Sequence, residues 1–189
     1  MGQLTTSSDD HPSPRGTTRS AAETAAESSD PEIITPIHRH GAEMWRVARD
    51  SGTLDLNTSY AYLLLARDFA RTSRIAVHDG AVVGFVIGYL RPTDPDCLFI
   101  WQIAVDESMR GRQVARRMLD ALLGDLPHVR TLETTITEDN AASQRLFASL
   151  AERHGADHRI KPLFEETDFP DAGHGAELLH VIGELHAGS

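Results

Sequence analysis

A single cysteine, Cys97, stands among the 189 residues, so no intramolecular disulfide is available and a metal site built from four cysteines is excluded. A fold without covalent staples must rest on packing, and a reducing compartment is the simpler setting for it. Nowhere does an apolar run approach the roughly 18 residues that a membrane-spanning helix needs. Bases are also scarce: 18 Lys and Arg stand against 28 Asp and Glu, a formal net charge of -10. Phosphate binding needs a clustered basic field, so this balance argues against a nucleic acid or an anionic membrane as the main partner. Local basic spots stay open.

What is present divides into a tail and one domain. Across residues 1–31 only Met1 and Leu4 are large and apolar, which leaves nothing to offset ordering entropy and predicts a disordered extension. It has no apolar h-region, and its acids are wrong for an Arg-rich transit peptide. Residues 32–189 alternate short β-type runs with amphipathic stretches, the pattern of an α/β (α+β) domain. Strands are expected over 33–37, 75–78, 81–89, 98–105, 132–136, 158–163 and 178–182. The pair Asp79 and Gly80 suits a type I′ turn and predicts a hairpin. Helices are expected over 40–50 with Met44, Val47 and Ala48 inward, and over 60–70 with Leu63, Leu64 and Ala70 inward. Asn57, Thr58 or Ser59 would cap the second. Two more follow, one carrying Val114, Met118, Leu119 and Leu122, the other spanning 140–150 with Leu146, Phe147 and Leu150 inward. By the period-2 rule Phe99, Trp101, Ile103 and Val105 share one face of a central strand.

The most chemical stretch begins where that strand runs into Asp106-Glu107-Ser108-Met109 and then Arg110-Gly111-Arg112-Gln113-Val114-Ala115 at a helix start. A tight turn there exposes unpaired N–H groups beside the positive end of the helix dipole, an anion pocket to which Arg110 and Arg112 add charge. Alone, the same arginines would equally well solvate a helix start.

The order strand, R-G-x-x-x-A turn, helix, strand, then Asn140-Ala141-Ala142-Ser143 opening another helix resembles the GNAT superfamily of acyl-CoA-dependent N-acyltransferases. Its cofactor motif, Q/R-x-x-G-x-G/A, is met by Arg110, Gly111, Arg112, Val114 and Ala115, while Gln113 occupies the central glycine position. Gln113 still offers its N–H if it holds φ below zero. The resemblance implies a central mixed, mostly antiparallel sheet flanked by helices. It also assigns Ile103, Ala104, Val105, the six residues of the turn, Asn140 and Ser143 to acetyl-CoA.

Four further blocks narrow the resemblance: Asp50-Ser51-Gly52 with Leu54-Asp55-Leu56-Asn57; Ser59-Tyr60 with Tyr62-Leu63-Leu64-Leu65; Asp94-Pro95-Asp96 with Leu98-Phe99-Ile100-Trp101-Gln102; and Gly173-His174 with Glu177. Together they look like the L-2,4-diaminobutyrate acetyltransferases of ectoine synthesis, a resemblance spanning about residues 33–182. It implies acetyl transfer from acetyl-CoA to the 4-amino group of 2,4-diaminobutyrate, giving a compatible-solute precursor, in the cytoplasm and by a homodimer.

A diamino acid carries two ammonium groups and one carboxylate, so its site should present acids to the amines. Asp55 and Glu177, placed at the substrate by the family pattern, are the acids of choice; otherwise they are solvated surface carboxylates. Trp101 either walls the amine pocket through a cation–π contact or is simply core. Asn57, Thr58, Ser59 and Tyr60 offer hydrogen bonds, against capping for the first three and packing for Tyr60. A strand N–H polarises the thioester carbonyl in the superfamily, which maps to Ile103, Ala104 and Val105. Glu177, Asp55 or His174 is left as base. The tyrosine that many members use as general acid is replaced here by Leu146 and Phe147, which leaves Tyr60 by elimination.

No metal is expected, because His38 with His40 and His154 with His158 lack acidic or thiol companions at ligand spacing. Cys97 reads as a small structural residue. Two rivals remain: an acetyltransferase of another amine or of a protein N-terminus, and an acyl-CoA-binding module without turnover.

Overall fold

The computed structural model describes residues 30–52, 54–170 and 175–185; the expected extension up to residue 29, and His174, lie outside the described residues. The elements in chain order are β1 (Glu32–Ile34), α1 (Gly41–Ser51), α2 (Ser59–Asp68), β2 (Ser73–His78), β3 (Ala81–Arg91), β4 (Asp94–Val105), α3 (Val114–Gly124), β5 (Thr131–Ile136), α4 (Ala141–His154), β6 (Asp157–Phe164) and β7 (Glu177–Gly183). The strands form one sheet in the order β1-β2-β3-β4-β5-β7-β6. Only β4 and β5 run parallel; the other neighbours are antiparallel, which gives the expected mixed architecture.

Each sheet face carries its own core. Met44, Val47, Tyr62, Phe85 and Ile87 pack beneath α1 and α2. Met118, Leu119, Leu122, Leu132, Phe147 and Ile182 pack beneath α3 and α4. The hairpin is where its turn residues place it, with φ of 49° at Asp79 and 78° at Gly80. Asp30 and Pro31, on the tail side of the expected boundary, are held by Arg117, which donates to the Pro31 carbonyl at 2.8 Å.

Three expectations need correction. The first strand stops at Ile34, because Pro36 has no N–H to give a ladder and the chain turns into a short 3₁₀ segment at His38–His40. The second helix ends at Asp68 and buries Tyr62 and Ala66, while Leu63 is 40% exposed and Ala70 lies beyond it in a 3₁₀ turn. The run from Leu63 to Leu65 is apolar all round, so its period is silent about the inward face. What decides it is Gly41, where an added Cβ would sit 2.7 Å from the Leu63 Cα and from the Tyr62 carbonyl oxygen. The two helices touch backbone to backbone.

The third correction concerns β4. Ile87 pairs with Gln102 and Gly88 with Ile100, so Trp101 is an extra residue in a β-bulge. A Cβ on Gly88 would lie 2.8 Å from the Phe99 carbonyl oxygen, which is why glycine stands opposite the bulge. The insertion reverses the alternation: Leu98 and Ile100 face α3 and α4 before it, Ile103 and Val105 after it. Phe99 therefore lies on the other face, against Tyr89 at 5.2 Å, and Trp101 is 42% exposed rather than core.

Pairing of β4 with β5 runs only from Cys97 and Thr131 to Ile100 and Thr134, although β4 continues to Val105. Beyond Ile100 the two parallel strands part, and a wedge opens at their C-terminal ends. Glu177 stands at the same end, one residue before Leu178, which pairs with Ile136.

Gly41→Ala is expected to force α1 and α2 apart at an overpacking cost of about 1–3 kcal/mol. Thermal unfolding should show a lower Tm, and a Tm equal to that of the parent would refute the close contact.

Candidate active site

The wedge is lined from four directions. Ile103, Ala104, Val105, Arg110, Gly111, Gln113, Val114, Ala115 and Ser143 border a groove of about 550 Å³ between the free edge of β4, the turn and α4. A second cavity of about 810 Å³ shares residues 103–105, Arg110 and Ser143, adds Asn140 and reaches Ser51, Gly52 and Leu54. The two are halves of one cleft. Of the residues assigned to acetyl-CoA only Arg112 borders neither half; its N–H points back to the Met109 carbonyl at 3.4 Å.

The turn is anchored before it reaches the cleft. The Asp106 N–H donates to the Val83 carbonyl at 2.8 Å, and the Asp106 carboxylate meets Arg46 of α1 at 3.0 Å. Arg46 donates also to the Val82 carbonyl at 2.5 Å, and the Asp106 bond raises its pKa. Beyond this anchor Gly111 has φ of 79° and Gln113 φ of 57°. The condition of φ below zero at Gln113 is thus not met: the residue keeps the left-handed conformation natural to glycine, at roughly 1–2 kcal/mol for a side chain. The reason is the path of the chain, which must fold from extended Arg110 into α3 within three residues. The Gln113 carboxamide is kept on the helix, its Oε1 accepting from Arg116 at 3.0 Å. The first-turn N–H groups of α3, which have no intrahelical partner, belong to residues that line the groove.

Opposite the turn, Asn140 caps α4, its Oδ1 accepting from the Ser143 N–H at 3.1 Å. The groove wall on α4 continues through Arg145, Leu146, Ser149 and Arg153. Arg153 and Arg116 share Asp120, at 2.9 and 3.3 Å. These cations were missed in the sequence, although residues 142, 146, 149 and 153 recur at helical spacing and mark one face. Leu146 and the buried Phe147 leave no acid on this helix at the cleft.

Among the described residues, those expected to hold the acceptor border neither half of the cleft. Asp55 hangs from β4: its carbonyl accepts from the Gln102 Nε2 at 3.0 Å. Asn57 donates to the same carbonyl at 3.4 Å and reaches the Tyr62 hydroxyl. Thr58 is the cap, accepting from the Ala61 N–H at 3.3 Å; Ser59 opens α2, and Tyr60 projects with 67% exposure. Glu177 begins β7 on the far side of the wedge. Sequence reading passed over Gln102 and Tyr62 as site-forming residues; the polar Gln within an apolar strand was the available signal.

Burial, helped by Glu133, pushes the Cys97 thiol up to about 12, which excludes a nucleophilic thiolate. His158 meets not His154 but His180, nitrogen to nitrogen at 3.0 Å, and burial lowers both pKa values. Among the described residues no three His, Cys, Asp or Glu side chains gather as a metal site.

Gln113→Gly is expected to relieve the strained backbone and keep or raise affinity for coenzyme A. Gln113→Val, β-branched at a positive φ, should lose at least tenfold. Titration calorimetry with coenzyme A checks both; equal affinity of the Val variant and the parent would refute the strained geometry.

The acetyltransferase (GNAT) family pattern matches residues 36–151. An L-2,4-diaminobutyric acid acetyltransferase of Streptomyces coelicolor is 51% identical over 170 residues, covering 87% of this chain and 99% of its own length. One from Marinococcus halophilus is 41% identical over 150 residues, with 78% of this chain and 87% of its own length covered. The structure of a diaminobutyrate acetyltransferase from Paenibacillus lautus, in complex with L-2,4-diaminobutyric acid and coenzyme A, superposes with a TM-score of 0.81 at 36% identity. It covers 86% of this chain and 99% of that one. The ribosomal-protein-S18-alanine N-acetyltransferase of Escherichia coli, 17% identical with a TM-score of 0.62, shares the fold alone. By fold, cleft and relatives, this chain belongs to the acetyltransferase (GNAT) family, and within it to the L-2,4-diaminobutyric acid acetyltransferases.

Proposed function

We propose that the protein transfers the acetyl group of acetyl-CoA to the 4-amino group of L-2,4-diaminobutyrate, a step in the synthesis of a compatible solute. The observation that carries the reading is the unpaired edge of β4 at residues 103–105, with Asp55 hung from the same strand and Glu177 across the wedge. That edge offers backbone groups to a pantetheine chain and an N–H to the thioester oxygen, where charge develops during attack. The turn from Arg110 to Ala115 and the first turn of α3 receive the pyrophosphate, and Arg145 adds cationic reach on α4.

Two acids suit a substrate with two ammonium groups. Attack requires a neutral nitrogen, whereas a carboxylate beside an ammonium raises its pKa, so one acid must take a proton from the ammonium before the C–N bond forms. Glu177 or Asp55 fills that role directly or through water. The C–S bond then breaks and the thiolate takes a proton; exposed Tyr60 is the donor we assign, restored by the second proton that the nitrogen sheds as it becomes an amide. Trp101, pushed outward by the bulge, supplies an aromatic wall for the cationic end of the substrate. Asn57 and Thr58 serve the site by shaping its loop, and Ser59 faces solvent at the start of α2, free to meet the substrate carboxylate.

The resemblance also implies a cytoplasmic homodimer. Ile160, Leu163 and Phe164, exposed on the edge strand β6, give a second copy an apolar surface to cover. Sedimentation is expected to show a dimer that Phe164→Glu weakens; a parent chain that stays monomeric at micromolar concentration removes this part of the proposal.

The deciding assay offers diaminobutyrate, diaminopropionate, ornithine and lysine in turn, with the acetylated nitrogen read by NMR. Preference for diaminobutyrate at its 4-nitrogen is expected; acetyl-CoA binding with no free thiol released on addition of diaminobutyrate would favour a module without turnover. Glu177→Gln and Asp55→Asn should each lose about a hundredfold in kcat/KM while affinity for coenzyme A is retained. Unchanged kinetics would remove that residue from the site.

A further inference from the structure

We infer that Gln102 is a positioning residue that sets where the acceptor amino acid meets the acetyl donor. The inference rests on the reading of Asp55 as a contact of the acceptor. Gln102 is 6% exposed and Tyr62 fully buried, so the pair lies behind the site rather than in it. The Asp55 carbonyl can only accept, so the nitrogen end of the Gln102 amide must face it, at 3.0 Å. The oxygen end then faces the Tyr62 hydroxyl, which donates at 2.8 Å. Burial pushes the pKa of this phenol up, so it stays protonated and the amide cannot turn over.

The placement along β4 gives this bridge its consequence. Gln102 follows the bulged Trp101 and precedes Ile103, the first of the residues that line the cleft edge. Were Trp101 an ordinary residue of the ladder rather than a bulged one, strict alternation would put the Gln102 side chain on the face of Ile100, toward α3 and α4. Instead, the same bulge that ejects Trp101 aims the amide at the loop carrying Asp55. The strand that presents the thioester and the loop that presents an acid to the amine are joined through one side chain, which fixes the gap between nucleophile and carbonyl. A misplacement of about 1 Å in such a gap is costly to the rate.

The test separates this from a merely structural role by comparing the two substrates. Gln102→Glu still accepts from Tyr62 but sets a second acceptor against the Asp55 carbonyl; Gln102→Met keeps the length and gives no donor; Tyr62→Phe keeps the ring and frees the amide. Expected for the Gln102 variants are a rise of at least tenfold in KM for diaminobutyrate and a weaker preference over diaminopropionate and ornithine. KM for acetyl-CoA should stay within twofold, with Tyr62→Phe intermediate. A lower Tm with both KM values and the preference unchanged overturns the inference. Should Gln102→Glu fail to fold, the Met variant decides by the same split, and should that also fail, Tyr62→Phe decides. If the parent prefers another amine, the proposed substrate is wrong, and the same comparison made with that amine still decides the role of Gln102.

Discussion

The sheet holds together between β3 and β4 and comes apart between β4 and β5, and the functional architecture hangs on that asymmetry. Four residue pairs join β4 to β5 before pairing ends at Ile100 and Thr134. Past that point the edge of β4 carries backbone donors and acceptors into the middle of the sheet. Leaving such a group buried without a partner costs about 1–3 kcal/mol, so the wedge is stable only as a wet cleft or a filled one. Everything around it maintains the separation: the bulge at Trp101, Gly88 opposite, and α3 and α4 packed beneath the splayed strands rather than between them.

Much of this order was readable from residue pattern. The Asp79 and Gly80 turn, the stripe Val114, Met118, Leu119 and Leu122, and both late strands are where local chemistry puts them. These features depend on neighbours a few residues away. The features that escaped depend on contacts between distant segments. A bulge is one residue of surplus against a partner strand, invisible until the register of Ile87 and Gly88 is known. The inward face of α2 is chosen by Gly41, many residues upstream, because Leu63, Leu64 and Leu65 offer no preferred side. At the site, the turn residues were legible through their motif, whereas Arg145, Arg153, Gln102 and Tyr62 gain meaning only when α4, β4 and α2 are brought together.

The conformation of Gln113 shows how a motif tolerates substitution. What the turn requires is a backbone shape, and glycine is the least costly way to reach it rather than the only one. The side chain that replaces it is led away along α3 by Arg116, which is itself shared with Asp120. An acidic chain thus keeps cations at its cleft by spending few of its acids on them.

The lone thiol gains a second significance from the reaction. Each turnover of a coenzyme A-dependent acyl transfer liberates a thiol, and oxidised forms of such thiols exchange readily with exposed protein thiolates. Cys97 is 1% exposed, with its pKa at about 12. It offers neither access nor nucleophile, so the protein is insulated from mixed-disulfide poisoning by its own by-product as the redox balance of its surroundings drifts.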